Sequence, residues 1–207
     1  IYRDFRLSQG HIDEHFLDVF EFPFIRGSRA TAFPRPNTIV ITEDAASRVF
    51  GDDDPMGRIL TIETAYYGGD YTVTGVIRTP PKNSSLQFDL LHQTDPVNQV
   101  GKFDWTIWQP RVQNAGIQTF VLLNNDIAPD DLEAILPDFI GRYMGEEARQ
   151  NITYRLQPLL RWHLYSAADY NIQTAVDRSL MSAGDIQQIY AFAAIAVFIL
   201  LIACITF

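Results

Sequence analysis

His-Ile-Asp-Glu-His, residues 11–15, fits the pattern H-x-x-E-H. On a helix, His11 and His15 at i and i+4 share a face and could hold zinc, with Glu14 as general base. Asp13, however, reads as a helix cap, and a helix beginning there leaves His11 outside it. The spacing therefore favours two surface histidines over a metal site. His92 and His163 stand in no ligand-like setting. Asp52, Asp53 and Asp54 are consecutive and run into Pro55. A calcium loop spaces its ligands at alternate positions and closes on a distant Glu, so this run reads as a solvated turn.

Phosphate chemistry has no carrier here. Gly68, Gly69 and Gly75 fall in neither G-x-x-x-x-G-K-[ST] nor G-x-G-x-x-G, so this chain is not expected to hydrolyse ATP. No G-x-S-x-G elbow occurs. No catalytic, cofactor-binding or metal-ligating residue is assigned, and no cofactor is expected. Phe16, Phe20, Phe22 and Phe24 read as core or as a subdomain contact.

The elements that position these residues alternate between strand and helix signals. YRDFRLSQ (2–9) alternates like a strand, and Asp13 then caps a short helix that Pro23 and Gly27 close. NTIVIT (37–42) is a strand with a continuous apolar centre. Thr42 caps EDAASRVF, with acids in its first turn and Gly51 at its end. Residues 58–64 and 70–77 form a hairpin through Tyr66-Tyr67-Gly68-Gly69. TPPKNSS (79–85) is a loop, and LQFDLL (86–91) a further strand. Strands are also expected at 117–124 and 152–159. Between them a helix starts at Pro129 and runs to about Met144, with Pro137 expected to kink or split it. Residues 160–185 read as loop or short elements. Two β-α-β patterns, 2–27 and 117–159, flank a β-rich stretch. The fold class is α+β, a split β-α-β unit with a small α/β unit inserted.

Composition excludes several partners. The net charge is −9, from 16 basic and 25 acidic residues. A nucleic-acid binder needs a basic face to displace counterions, and docking on anionic headgroups needs the same sign. Cys204 is the only cysteine, so no intramolecular disulfide can form.

Cys204 lies in IYAFAAIAVFILLIACITF, residues 189–207, which carries no charged side chain. Nineteen helical residues span roughly 28 Å, close to the hydrocarbon thickness of a bilayer. Tyr190 stands where an interfacial aromatic is expected, and Asp185, Gln187 and Gln188 mark the aqueous side. Residues 186–207 therefore read as a transmembrane helix cut near its far end. The chain, starting at Ile1 without a signal peptide, reads as a piece of a longer protein.

Four stretches carry a resemblance: HFLDVFEFPFIRG (15–27), IVITEDAASRVFGDDDPMGRIL (39–60), DYTVTGVIRTPPKNSSLQFDLL (70–91) and GDIQQIYAFAAIAVFILLIACITF (184–207). Together they resemble the periplasmic core domain of ABC-transporter permeases of the MacB/FtsX-like family. Ser85 stands where His is common in that family, and Thr206 where Asn is common. The resemblance implies a porter-like part at 1–36 and 117–160, an inserted small α/β part at 37–116, a return segment at 161–185 and the second membrane helix at 186–207. It implies a bacterial inner-membrane protein with residues 1–185 on the periplasmic side. The implied partners are an ATP-binding subunit, a second permease in a homodimer or heterodimer, and a periplasmic partner or cargo. The expected function is to couple cytoplasmic ATP hydrolysis by the partner to export or mechanotransmission, with no enzymatic activity of its own. A membrane-anchored ligand-sensing domain of a receptor would share the same soluble-then-membrane layout.

Overall fold

A computed structural model describes residues 4–63, 68–93, 118–170 and 184–206. The chain divides into two compact units, Ile1–Asp126 and Ile127–Phe207.

The first unit is built on a mixed sheet of six strands: β1 (Gln9–Ile12), β2 (Phe24–Arg26), β3 (Thr38–Thr42), β4 (Ile59–Glu63), β5 (Gly68–Ile77) and β6 (Leu90–Gln93). Their order is β1-β6-β3-β5-β2, and β4 pairs with the N-terminal half of β5. The sequence Thr-Ile-Val-Ile-Thr fits β3 for the centre, where β-branched side chains meet neighbours on both faces. All five of its residues are buried. β3 runs antiparallel to β6 and parallel to β5. Ile39, Ile41, Val73, Val76 and Leu90 form the core of one face, joined by Tyr71, Ile62 and Ala45.

Local signals set the ends of these elements. Thr42 Oγ1 accepts from Ala45 N at 3.2 Å and so caps α2 (Glu43–Phe50). Gly51, at φ 64°, closes that helix through a bond from its N–H to Ser47 O. The β3–β5 register slips between Ile39 and Val40, leaving Thr74 as an extra residue on β5. Thr74 Oγ1 donates to Ala32 O at 2.5 Å and to Ile39 O at 3.1 Å, which ties the bulge to the preceding loop. Gly27 lies against this bulge at φ 76°, and a Cβ there would sit 2.8 Å from Thr74 O. A side chain is thus excluded twice, by backbone conformation and by space.

The second unit is helical: α3 (Pro129–Met144), α4 (Glu146–Asn151), α5 (Leu159–Tyr170) and α6 (Ile186–Thr206). Pro129 opens α3, and the Asp131 carboxylate accepts from Ala128 N at 3.2 Å. Gly145 turns the chain into α4, whose Arg149 lies against Gly141 and pairs with Asp138 at 3.0 Å. Ile140 of α3 and Ala148 of α4 are buried.

Several expected elements are displaced. No strand forms over the described residues 4–8. The ladder starts at Gln9, after Ser8 has bonded to Asp89 through its own N–H and carbonyl. The strand expected at 86–91 starts at Leu90. Before it, turn bonds hold the chain: Leu86 N to Ser84 Oγ, and Gln87 Nε2 to the carbonyls of Pro81 and Ser84. Residues 118–124 and 152–158 are not strands. Their β-forming residues meet no strand to pair with, and propensity without a partner does not make a ladder. In the second stretch Leu156 N donates to Glu133 Oε1 at 2.6 Å instead. Part of the segment expected as loop, 160–170, belongs to helix α5. α3 continues through Pro137 unsplit, since proline removes a single donor from a four-turn helix. The strands of 1–36 and those of 37–93 share one sheet.

Candidate functional site: an apolar helix and the groups expected to do chemistry

The feature with the clearest physical consequence is α6. An 18-residue stretch of its 21 residues has a mean hydropathy of 2.7, and none of that stretch is buried. Phe192, Ile195, Phe198, Leu200 and Ile202 all face outward. A helix apolar on every side cannot be a surface helix of a water-soluble body, because it has no polar face to give to water. Its length, about 31 Å at 1.5 Å per residue, matches a bilayer's hydrocarbon core. Its Thr206 hydroxyl is answered internally, Oγ1 donating to Ile202 O at 2.8 Å. At the other end Asp185 Oδ1 accepts from Gln187 N at 2.8 Å, which caps the helix where water begins. Ile186 is buried and Tyr190 exposed one turn further on, as an interfacial aromatic requires.

The HIDEH residues are separated by the fold. His11 lies in β1, while Glu14 and His15 precede the single-turn helix α1 (Phe16–Val19). Asp13 Oδ1 accepts from His15 N at 3.0 Å, so Asp13 does hold the turn ahead of that helix. His15 Nδ1 lies 3.1 Å from Asp18 and its Nε2 3.6 Å from Glu14. His11 instead meets His92 of β6, ring centroids 4.1 Å apart. Among the described residues no three His, Cys, Asp or Glu side chains converge as a metal site.

His92 is the residue that sequence reasoning passed over. It is 2% exposed and lies between His11 and Tyr71, whose ring centroid is 5.6 Å away. Burial, and then the neighbouring His11, hold its pKa at about 4. Burial also lowers that of His11. The available signal was position: His92 continues the apolar run Leu90-Leu91 and carries the alternation of β6 onto the core face.

Asp54 accepts from Arg26 at 2.5 Å and from Met56 N at 3.1 Å, and Asp53 faces Arg58 at 3.8 Å. The triple-Asp run is thus a turn braced by arginines. Gly75 lies inside β5, where a Cβ would meet Phe24 at 3.0 Å, so its role is packing. Phe16, Phe20 and Phe22 form an aromatic cluster completed by Phe88 and Phe120.

An α+β unit followed along the chain by a long apolar helix is the layout implied by the sequence motifs. Residues 3–139 match the family described as MacB-like periplasmic core domain. The chain belongs to the MacB-like periplasmic core domain family. A solved structure agrees on the fold. A domain assigned to a permease protein from Porphyromonas gingivalis is similar with a TM-score of 0.55 at 23% identity, over 71% of this chain and 64% of that one. The periplasmic region of MacB from Actinobacillus actinomycetemcomitans matches with a TM-score of 0.41 at 14% identity, over 67% of this chain and 57% of that one. The extracellular domain of the noncanonic ABC-type transporter YknZ from Gram-positive bacteria matches with a TM-score of 0.33 at 15% identity, over 45% and 46%. This chain thus spans less than two thirds of the length of each. No curated protein matches the sequence. The MacB-like periplasmic core domain thus stands on the same chain as a helix long and apolar enough to cross a membrane.

Proposed function

We propose that this domain converts movement of membrane helices into movement outside the membrane. A partner ATP-binding subunit hydrolyses ATP in the cytoplasm, and α6 transmits the resulting motion to the body. The output is export of a substrate or mechanical action on a periplasmic partner. The protein works as a homodimer or heterodimer of permeases in the bacterial inner membrane, with residues 1–185 on the periplasmic side. No residue of this chain has a catalytic role. The observation that carries the reading is the conjunction of the family match over residues 3–139 with α6 at the end of the same chain. The division into a porter-like part (1–36 with 117–160) and an inserted part (37–116) belongs to this proposal, supported by the edge-on packing of Phe20 on Phe120 at 4.8 Å.

The test is co-purification. The full-length protein, tagged and gently solubilised from native membranes, should bring down a stoichiometric ATPase subunit and vanadate-sensitive ATP hydrolysis. Recovery with a signalling protein and no ATPase would replace this reading with the receptor-sensor one.

A further inference from the structure

Strand β4 is paired on one flank. Among the described residues it pairs with β5 alone. The ladder shows which way its backbone groups point. Val73 N donates to Arg58 O, while Thr72 N turns the other way, to Asn37 O. Backbone groups alternate sides along a strand, so those of Leu60 and Ile62 face β5. The N–H and C=O groups of Ile59, Thr61 and Glu63 point away from β5. The side chains of these residues are exposed as well, Ile59 at 62%. Ile62 is buried and Leu60 packs on the core cluster.

Sheet edges are normally blunted against pairing by shortness, proline, lysine or a bulge. The edge strand β2 shows this: it has three residues, follows Pro23 and shifts register between Phe24 and Arg26. β4 shows none of it. Ile-Leu-Thr-Ile-Glu is five residues long, rich in β-branched side chains and without Pro, Lys or Gly, and its one charge stands at the last position. A row of outward N–H and C=O groups at strand spacing is matched by another strand.

The strand fits itself. In an antiparallel pairing centred on Thr61, Thr61 meets its counterpart in a second copy, Ile59 meets Glu63, and Leu60 meets Ile62. All the outward groups then exchange hydrogen bonds. Leu60 and Ile62 meet in the closer, non-bonded pairs and carry the core face from one copy to the next. The two Glu63 carboxylates stand at opposite ends, about 14 Å apart, so no like charges meet. A slip of one residue would set outward groups against inward ones. We infer that β4 is a self-association edge, through which two copies of this chain pair as antiparallel strands and join their sheets. The inference rests on the homodimer in the reading above and names its contact.

The test uses the full-length protein in native membranes, with Cys204→Ser and one new cysteine: Ile59→Cys, Thr61→Cys, Glu63→Cys, or Ser47→Cys on α2. All these positions are exposed, so the core is left intact. Copper phenanthroline with air supplies the oxidant. Bonded partners across the pairing have Cα atoms about 5.5 Å apart, within disulfide reach. Thr61→Cys should give a disulfide dimer as its main species. Ile59→Cys alone, Glu63→Cys alone and Ser47→Cys should give none, while Ile59→Cys co-expressed with Glu63→Cys should restore it. A dimer at 59 or 63 alone would overturn the pairing centred on Thr61. No disulfide at any β4 position, with the native chain a dimer by light scattering, would overturn β4 as the contact and leave the homodimer standing. A native chain that runs as a monomer would overturn both. Cysteines at 59 and 61 shielded from maleimide without a disulfide dimer would mean a strand of another protein covers the edge, and would overturn the second copy as its occupant.

Discussion

His11 and His92 face each other across the β1–β6 ladder as register partners, ring centroids 4.1 Å apart and planes inclined at 67°. His92 is sealed in the core face of the sheet while His11 occupies the edge strand. Two imidazoles this close cannot both carry charge cheaply, and the inner one is also cut off from water.

The pair makes the first unit acid-sensitive. Above about pH 6.5 His92 is neutral both folded and unfolded, and contributes no pH dependence. Below that, the unfolded chain takes up a proton that the folded one resists until about pH 4. Stability therefore falls on acidification through this window, by about 3 kcal/mol in full, half or more of which is expressed by pH 5. Urea unfolding of the full chain in detergent near pH 7 and near pH 5 measures it. His92→Gln should flatten the difference between the two. An unchanged acid dependence in that variant would assign the effect to other groups.

Gly27→Ala should destabilise the same unit. It places a side chain at φ 76°, 2.8 Å from a carbonyl oxygen in the β5 bulge. The expected loss exceeds about 1 kcal/mol, since conformational strain and a backbone clash act together. Gly51→Ala has the positive φ but open space around it, and should cost less. Equal losses for the two, read from denaturation midpoints, would remove the clash as a cause.

Thr42→Ala removes the cap of α2 and should cost about 1 kcal/mol. Thr42→Ser retains the hydroxyl that accepts from Ala45 N, and should recover most of that loss. If Ser is no better than Ala, the buried methyl of Thr42 matters more than the cap.

Ending the chain at Ala183 should give a protein that runs as a single species without detergent. The chain through α6 should aggregate unless detergent or lipid covers its apolar surface. Size-exclusion chromatography of both decides. A monodisperse, detergent-free sample of the longer chain would contradict α6 as a membrane helix.

What the sequence made legible was local. Thr42 and Gly51 announced both ends of α2, Pro129 with its following acids announced α3, and nineteen uncharged residues announced α6. The buried run of β3 followed from its continuous apolar centre. The errors were in partnership. Alternation at 2–9, 117–124 and 152–159 has strand chemistry, but whether a neighbour is present to accept those hydrogen bonds is a property of the tertiary fold. α5 escaped because LLRWHLYSAADY has no side-chain cap or acid in its first turn, and its order comes from tertiary bonds such as Gln157 Nε2 to Ser166 Oγ at 2.8 Å and Tyr170 Oη to Leu156 O at 3.0 Å. The His11–His92 pair was hidden because it joins positions 81 residues apart through a ladder whose register no motif states.

The most direct measurement on the account as a whole is cysteine accessibility in intact cells carrying the full-length protein. Ser47→Cys on α2 and Ala134→Cys on α3 are exposed positions, one in each unit, and native Cys204 lies inside α6. A membrane-impermeant maleimide should label 47 and 134 from outside while leaving Cys204 unreacted until detergent is added. Labelling of 47 and 134 only after the membrane is permeabilised would place both units in the cytoplasm and contradict an extracytoplasmic domain anchored by α6.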